Sequence, residues 1–392
     1  MTDALMPTYA RQDIAFSHGR GARLYASDGR EFIDFAAGVA VNSLGHAHPK
    51  LLAALKEQAD KLWHVSNLWR VPEAERLAGR LCASSFADVA FFANSGAEAV
   101  EAAIKTARKH FAARGQPQRW HIIAFKGAFH GRTLATIAAA GNDRHLEGFG
   151  EPCGGFTQVA PGDIAALAAA ITDHTAAVML EPVRGESGVQ PFGDDFLRQV
   201  RTLCDERGLL LIFDEVQTGI GRTGRLFAYE HAGVAPDIMA LAKGLGGGFP
   251  IGACLATADA AAGMTAGTHG STFGGNPLAM AAAHAVLDVV ADAAFLATVR
   301  DKGERLKARL EALRANTPNL IAEVRGRGLM LGLVCNRPVT EIIAAALEHG
   351  VLLVPSGDGR TARLLPPLTI TDDEIGEGLT RLEQALAATS RG

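Results

Sequence analysis

Short apolar segments alternate with amphipathic stretches through the middle of the chain. The amphipathic stretches have helical periodicity, as over residues 195–207. Strands that alternate with helices form mainly parallel sheets, which the helices cover on both faces. The predicted fold class is therefore α/β, with strands over residues 89–92, 121–125, 177–180, 209–213, 238–242 and 251–255.

Different patterns precede and follow this alternation. Asp28-Gly29 suits a tight turn, so residues 22–35 predict a β-hairpin. Pro49 and Pro72 each favour the first turn of a helix. The elements predicted after Pro277 are two helices, the second over 296–315, strands over 328–334, 351–354 and 362–365, a helix over 340–349 and a terminal helix from Thr371.

These patterns divide the chain into three parts. We predict an N-terminal segment over residues 1–48, a large domain over 49–276 and a smaller α+β domain over 277–392. The N-terminal segment is expected to pack with the smaller domain. No internal repeat or low-complexity linker separates the parts, so we expect them to abut closely.

Composition excludes several classes of function. With 48% hydrophobic residues and a formal net charge of −4, the chain is typical of a soluble globular protein that has no general attraction to nucleic acid or anionic membranes. The N-terminus does not resemble a signal peptide and no apolar stretch is long enough to cross a bilayer, so we expect a cytoplasmic protein. Five scattered cysteines imply neither a disulfide framework nor a zinc site.

A lysine and an aspartate stand at the ends of two predicted strands. Lys243 follows the strand over 238–242, and Asp214 follows the strand over 209–213. In a low-dielectric site a lysine amine can be neutral and nucleophilic, which is what a Schiff-base lysine requires. The carboxylate then needs a cationic partner, and an aspartate commonly serves the protonated ring nitrogen of pyridoxal phosphate (PLP). Buried structural charges would produce the same pattern.

The segment after the first of the predicted strands is a candidate phosphate site. Ser95 and Glu98 have the spacing of a capping box, which leaves the amides of Gly96 and Ala97 free at the positive end of a helix. A phosphate would fit there, although a capped helix without a ligand explains the same residues.

Two glycine-rich segments do not fit nucleotide-binding motifs. Residues 219–224 match G-x-G-x-x-G, but the segment that follows is too short and aromatic to be a dinucleotide-binding helix. In residues 243–248 the glycines follow the lysine, and no Ser or Thr comes next, so this is not a P-loop.

Two arginines are candidates for binding carboxylates. Arg132 follows a predicted strand, and Arg363 lies in an apolar strand, where a guanidinium must be paired or exposed. A structural ion pair would explain Arg363 equally well. Glu181 and Glu186 supply two carboxylates after another strand, where a solvated loop is the alternative. The histidines offer no third nearby ligand, so a metal site is not indicated.

Taken together, six motifs resemble the class III, ornithine-type aminotransferases of PLP fold type I, and the resemblance covers nearly the whole chain. The motifs are Phe91-Phe-Ala-Asn-Ser-Gly-Ala-Glu-Ala, Phe129-His-Gly-Arg-Thr, Glu181-Pro-Val-Arg-Gly-Glu, Phe213-Asp-Glu-Val-Gln-Thr-Gly, Leu241-Ala-Lys-Gly-Leu-Gly-Gly-Gly and His269-Gly-Ser-Thr-Phe-Gly-Gly-Asn-Pro. The family's large domain has a mainly parallel, seven-stranded type of sheet. Relatives often carry Thr and Tyr where this chain has Ala97 and Phe129.

The resemblance implies a role for each site residue. Lys243 and Asp214 are the implied catalytic residues: Lys243 holds the PLP aldehyde and moves a proton, and Asp214 keeps the pyridine nitrogen protonated. The implied cofactor-binding residues are Ser95, Gly96, Ala97, Phe129, Asp214, Glu215, Val216, Gln217, Lys243 and Thr272. The implied substrate-binding residues are Arg132, Glu186, Ser271 and Arg363. Thr272, with Ser271 beside it, would act from a neighbouring subunit, so a homodimer with shared active sites is expected.

The resemblance also implies a reaction between an amino acid and a 2-oxo acid. Residues 38–49 and 64–68 are similar to the members that use N2-acetylornithine and 2-oxoglutarate, and no tyrosine lies near Gly38, where members that use free ornithine carry one. The alternative donors are succinylornithine, ornithine, succinyldiaminopimelate and 4-aminobutyrate. A non-catalytic PLP-binding regulator is the alternative from a different class.

Overall fold

The computed structural model of the chain describes residues 4–389. The strands in that range are β1 Phe16–Arg20, β2 Arg23–Ala26, β3 Glu31–Asp34, β4 Val89–Ala93, β5 His121–Phe125, β6 Phe156–Val159, β7 Thr175–Leu180, β8 Val183–Arg184, β9 Gln190–Pro191, β10 Leu210–Asp214, β11 Ile238–Leu241, β12 Gly252–Ala256, β13 Ile321–Arg327, β14 Met330–Cys335, β15 Val351–Leu352, β16 Val354–Pro355 and β17 Thr361–Leu364. The helices are α1 Ala37–Ala40, α2 Pro49–Ala59, α3 Pro72–Ala83, α4 Gly96–Ala113, α5 Leu134–Ala140, α6 Asp143–Leu146, α7 Ile164–Ala170, α8 Asp194–Arg207, α9 Tyr229–Ala232, α10 Ala258–Ala261, α11 Pro277–Val290, α12 Ala293–Asn316, α13 Val339–Glu348 and α14 Asp372–Thr389.

A seven-stranded sheet forms the centre of the molecule, in the order β4-β12-β11-β10-β7-β5-β6. Neighbouring strands are parallel except at β12, which pairs antiparallel with both β11 and β4. The predicted α/β class and its six strands are confirmed. The seventh strand, β6, was not predicted from the sequence, because Thr157 and Gln158 interrupt its short apolar pattern.

Two smaller sheets flank the central one. The first has the order β1-β2-β3-β15, and Val351 of β15 pairs in parallel with Ile33 of β3. A strand from the C-terminal part of the chain thus completes the sheet of the N-terminal hairpin. The second sheet has the order β13-β14-β17-β16. The division into domains at residues 48 and 276 remains a prediction.

The helices begin where the sequence pattern places them. Pro49, Pro72 and Pro277 are the first residues of α2, α3 and α11, as predicted. Among the described residues no single helix has the length and hydropathy of a membrane span, and α11 and α12, which meet at 73°, reach it only when taken together.

The loop over residues 219–224 holds two parts of the structure together. Arg222 is buried, and its Nη1 donates to the carbonyl oxygens of Leu329 at 3.0 Å and Pro366 at 2.5 Å. This glycine-rich loop therefore has a structural contact with the C-terminal region, and its resemblance to a dinucleotide motif has no counterpart in the fold.

Candidate active site

A cavity of about 440 Å³ opens at the carboxyl ends of the central strands. Asp214, at the end of β10, is in register with Ala240 of β11, and Lys243 is the second residue after β11. The register brings the two predicted catalytic residues to one edge of the sheet, and both line the cavity. The other predicted site residues that line it are Ser95, Gly96, Ala97, Phe129, Arg132, Glu186, Val216 and Gln217.

Lys243 lies in an environment that favours the neutral amine. Burial lowers the pKa of Lys243, and the charge of Arg363 lowers it further, whereas the carboxylates of Glu186, Asp214 and Glu181 oppose the shift. Its backbone is left-handed, with φ of 38°. That conformation is strained for a residue with a Cβ and costs roughly 1–3 kcal/mol, which the surrounding structure must offset. A neutral, positioned lysine can act both as a nucleophile and as a proton carrier.

Asp214 is paired with a buried histidine. Its Oδ2 lies 2.8 Å from Nδ1 of His130, and its Oδ1 accepts a hydrogen bond from the amide of Val216 at 3.1 Å. Burial alone would lower the pKa of His130, but the hydrogen bond to Asp214 and the charges of Asp214 and Glu181 outweigh it and raise the pKa. The pair can therefore keep a negative charge beside a cationic group in the cavity.

Glu181 is a second buried carboxylate at the base of the cavity. Its Oε2 accepts from the amide of Phe129 at 3.0 Å, and its Oε1 accepts from the amide of Gly185 at 3.3 Å. Burial raises the pKa of Glu181, and the charge of His130 acts in the opposite direction. Glu181 thereby joins the loop that carries Phe129 to the loop that carries Glu186.

The N-terminus of α4 forms one wall. The Ser95 hydroxyl accepts from the amide of Glu98 at 3.2 Å, which confirms the predicted N-cap. The amides of Gly96 and Ala97 are in the first turn of the helix, where they have no intrahelical acceptor. A Cβ on Gly96 would lie 2.7 Å from Cγ1 of Val216, so glycine allows the helix to start beside that residue. This end of the cavity has the geometry of an anion site.

Of the two predicted carboxylate receptors, Arg132 lines the cavity, and Arg363 lies behind Glu186, which lines it. Arg363, in β17, is 2% exposed, and its Nη1 donates to Oε1 of Glu186 at 2.5 Å. Its Nη2 donates to the carbonyl oxygen of Pro355 at 2.8 Å. Arg132 lies over the ring of Phe129 at 5.7 Å and has no carboxylate partner among residues 4–389. One arginine is thus neutralised and the other is available to an anion.

Besides Arg363, three predicted site residues do not line the cavity. Glu215 follows Asp214 but points to the other face of the strand, where it accepts from the amides of Ala228 at 2.6 Å and Tyr229 at 2.8 Å. Ser271 accepts from Asn94 Nδ2 at 3.1 Å, and Thr272 is exposed at the surface. An exposed Thr272 is compatible with the expectation that it acts on a neighbouring subunit.

The sequence analysis did not place His130 and Glu181 in the site. Both belong to motifs that were recognised, but their contacts with Asp214 and Phe129 join segments more than fifty residues apart. The signal available in the sequence was their position after predicted strands, in the same motifs as Arg132 and Glu186. Within the described part of the chain, no group of three or more His, Cys, Asp or Glu side chains is arranged to hold a metal ion.

Comparison with known proteins gives the family. The model of the family "Aminotransferase class-III" matches residues 7–386. An acetylornithine aminotransferase of Agrobacterium fabrum is 57% identical over 98% of this chain and 96% of its own length. The crystal structure of N-acetylornithine aminotransferase from Stenotrophomonas maltophilia is similar with a TM-score of 0.86 and 41% identity, covering 98% of both chains.

An ornithine aminotransferase structure from Toxoplasma gondii, in which PLP partly occupies the active site, has a TM-score of 0.94 and 34% identity. The alignment covers 99% of this chain and 93% of that one. The match of a family model over nearly the full length, together with these relatives, shows that the chain belongs to the class-III aminotransferases, which are PLP-dependent enzymes.

Proposed function

We propose that the chain transfers the δ-amino group of N2-acetylornithine to 2-oxoglutarate, which yields N-acetylglutamate 5-semialdehyde and glutamate. The observation that carries this proposal is the arrangement of two arginines around Lys243: Arg132 without a carboxylate partner, and Arg363 neutralised by Glu186. The naming of several relatives at 50–57% identity as acetylornithine aminotransferases supports the same donor.

The residues of the cavity fit pyridoxal phosphate. The free amides of Gly96 and Ala97 suit its phosphate, and the ring of Phe129 suits stacking on the pyridine. Gln217 is 7% exposed, and its Oε1 has no hydrogen-bond partner within residues 4–389, so this side chain can turn an amide group towards a polar atom of the cofactor. A volume of about 440 Å³ lies in the range of small-molecule sites.

Each catalytic residue then has a defined task. When bound, PLP supplies a cationic ring that accepts the electron pair left on a substrate carbon as its proton is removed. Asp214, supported by His130, holds the ring nitrogen in its protonated state. Lys243 holds the cofactor. Its Nζ takes the proton from the substrate carbon and then donates that proton to a different carbon atom. Burial of Lys243 favours the neutral amine, so its Nζ can accept the proton from the substrate and, once protonated, give it up again.

Two different substrates use one cavity in turn. We infer that Arg132 binds the α-carboxylate of N2-acetylornithine while Glu186 neutralises Arg363. With glutamate, Arg132 binds the γ-carboxylate, and Glu186 moves away so that Arg363 can bind the α-carboxylate. A buried arginine left without any carboxylate would be costly, which is why a movable partner is required.

The complete site is proposed to need two subunits. Thr272 is exposed and Ser271 beside it is half-buried; neither lines the cavity of its own chain, and both would approach the phosphate end of the partner's cavity. The active form would then be a homodimer with shared sites, and we propose that it works in the cytoplasm.

Steady-state kinetics with 2-oxoglutarate as acceptor test the donor. We expect the highest kcat/KM with acetylated or otherwise acylated ornithine, and lower values with free ornithine and 4-aminobutyrate, which lack the acyl group. Lys243→Ala serves as the control and should lose turnover. The proposal fails if free ornithine or 4-aminobutyrate is the best donor, or if none of these amines shifts the visible absorption of the PLP-loaded protein.

A further inference from the structure

The loop that carries Arg132 packs against the first turn of α4. Gly131, directly before Arg132, has a φ of 129°, a conformation that residues with a Cβ rarely adopt. A Cβ at this position would lie 2.7 Å from the Cβ of Ala97 and 2.9 Å from Oγ1 of Thr136. Glycine therefore allows this loop to approach α4 closely.

Thr133, directly after Arg132, is bonded to the same helix. Its hydroxyl donates to Oε1 of Glu101 at 2.5 Å, and its amide donates to Oγ1 of Thr136 at 3.0 Å. Glu101 is four residues after Ala97, so the two side chains lie on one face of α4. The backbone therefore contacts α4 on both sides of Arg132.

The carboxylate of Glu101 is available to Thr133 because the neighbouring cation has another partner. Residues four apart on a helix are neighbours, so Lys105 would be the ordinary ion-pair partner of Glu101. The Nζ of Lys105 instead lies 2.8 Å from Nδ1 of His269. Glu101 and Thr133 do not line the active-site cavity, so contact with a ligand there does not explain their hydrogen bond. A hydroxyl that donates to a carboxylate forms one of the stronger hydrogen bonds in proteins.

The side chain of Arg132 depends on this backbone for its position. It is exposed and has no carboxylate partner among residues 4–389, and its guanidinium lies 5.7 Å from the centre of the Phe129 ring. An arginine side chain has several rotatable bonds, and fixing them on binding costs free energy. If the backbone is already fixed, only the side chain has to be ordered, so a carboxylate meets a partly preorganised receptor.

We propose that Glu101 and Thr133 are positioning residues, which hold the backbone of Arg132 where its guanidinium can bind the substrate carboxylate. This inference rests on the proposed function, in which Arg132 is that receptor. Because the hydrogen bond is made to α4, the same helix would fix both the phosphate end of the cavity and its carboxylate receptor. Loss of the bond should weaken the binding of substrates that carry the carboxylate and leave the chemistry at Lys243 unchanged.

Two amines that differ only in the carboxylate isolate this role. N-acetylputrescine is N2-acetylornithine without its α-carboxylate, and both carry the same reactive amine. Single-turnover absorbance measurements on the PLP-loaded enzyme give a second-order rate constant for each amine, and the ratio of the two measures what the carboxylate contributes. We expect Thr133→Val to lower this ratio about fivefold, the equivalent of one hydrogen bond of about 1 kcal/mol. The loss should come from a higher Kd for acetylornithine, with its limiting rate unchanged.

Further variants separate positioning from a merely structural role. Thr133→Ser retains the hydroxyl and should recover most of the ratio. Glu101→Ala should lower the ratio as Thr133→Val does, and the double variant should lose no more than either single variant, because all three lack the same hydrogen bond. The control is Thr257→Val, because the Thr257 hydroxyl caps α10 by accepting from the amide of Ala260 at 3.1 Å, outside the cavity. This variant should leave the ratio unchanged.

Arg132→Gln distinguishes failure of this inference from failure of the proposed function. It should remove most of the preference for the amine that carries the carboxylate. If it does, the positioning role is contradicted by equal losses for the two amines, by no loss, or by full additivity of Thr133→Val and Glu101→Ala. If Arg132→Gln leaves the ratio unchanged, Arg132 is not the receptor, and the proposed function is wrong on that point together with this inference.

Discussion

At the scale of single residues, the buried guanidinium of Arg363 carries a positive charge that needs a carboxylate partner. It is 2% exposed, and Glu186 is its only carboxylate partner in the described part of the chain. Removing one member of a buried ion pair lowers the free energy of unfolding by about 3–5 kcal/mol when the other member stays charged. Because Glu186 is partly accessible from the cavity, we expect a loss at the lower end of this range. Under the proposed function, the pair would affect both stability and substrate choice.

We expect Glu186→Ala to slow the half-reaction with acetylornithine more than the half-reaction with glutamate. In the first, Arg363 would remain charged and unpaired, whereas in the second the α-carboxylate of glutamate replaces the missing partner. Single-turnover absorbance measurements, one substrate at a time, give the two rates. Asp194→Ala, which breaks the ion pair with Arg327 at 3.0 Å outside the cavity, is the control. Equal losses in both half-reactions would contradict a movable Glu186.

Residue by residue, the sequence predicts contacts that follow from strand ends and misses those that depend on side-chain direction. Asp214 and Lys243 line the same cavity because they lie at the carboxyl ends of neighbouring strands. Glu215 was expected in the site, but successive residues at a strand end point to opposite faces, so its carboxylate caps the turn at Ala228. The contact of His130 with Asp214 spans 84 positions and requires the folded sheet.

At the scale of elements, the proposed phosphate site at the N-terminus of α4 would link the stability of a helix to cofactor binding. The Ser95 hydroxyl caps the helix, and its loss costs about 1 kcal/mol at a typical N-cap. The same cap orients the amides of Gly96 and Ala97, which line the cavity. If the phosphate binds here as proposed, this cap has a second role that a cap elsewhere does not have.

We expect Ser95→Ala to lower the free energy of unfolding by about 1 kcal/mol and also to weaken PLP binding several-fold. The control is Asp292→Ala, because Asp292 caps α12 by accepting from the amide of Phe295 at 2.7 Å, away from the cavity. Denaturant titration of the apo-protein and PLP titration by fluorescence measure the two quantities. If both variants keep full PLP affinity, the helix N-terminus is not the phosphate site.

Most elements could be predicted because their apolar periodicity agrees with their final environment. Inner strands of the central sheet such as β10 and β11 are apolar and buried on both faces, and prolines mark the starts of α2, α3 and α11. The sequence did not predict β13, since Glu323, Arg325 and Arg327 alternate along it. Such a strand is stabilised by pairing with β14, which propensity alone does not reveal.

For the whole molecule, an exposed apolar surface lies next to the segment expected to reach a neighbouring subunit. Trp63, Leu68, Trp69 and Phe273 are between 60% and 87% exposed. The side-chain amide of Asn67 donates to the carbonyl oxygens of Ser271 at 2.9 Å and Gly274 at 2.8 Å, which joins these two surface segments. Contiguous exposed apolar groups of this kind are typical of protein interfaces.

A second copy of the chain is the occupant that this surface would require, since Thr272 lies beside Phe273 and outside its own cavity. We expect Leu68→Asp to raise the dimer dissociation constant at least about tenfold, because a charge would replace an apolar contact at the interface. Leu68 is 87% exposed, so the isolated subunit should remain folded. Val89→Asp, at a strand end with 43% exposure, is the control.

Sedimentation across a concentration series gives the assembly state, and PLP titration at each concentration shows whether cofactor affinity falls as the dimer separates. A folded monomer that binds PLP as tightly as the dimer would mean that Thr272 does not contribute to the partner's site.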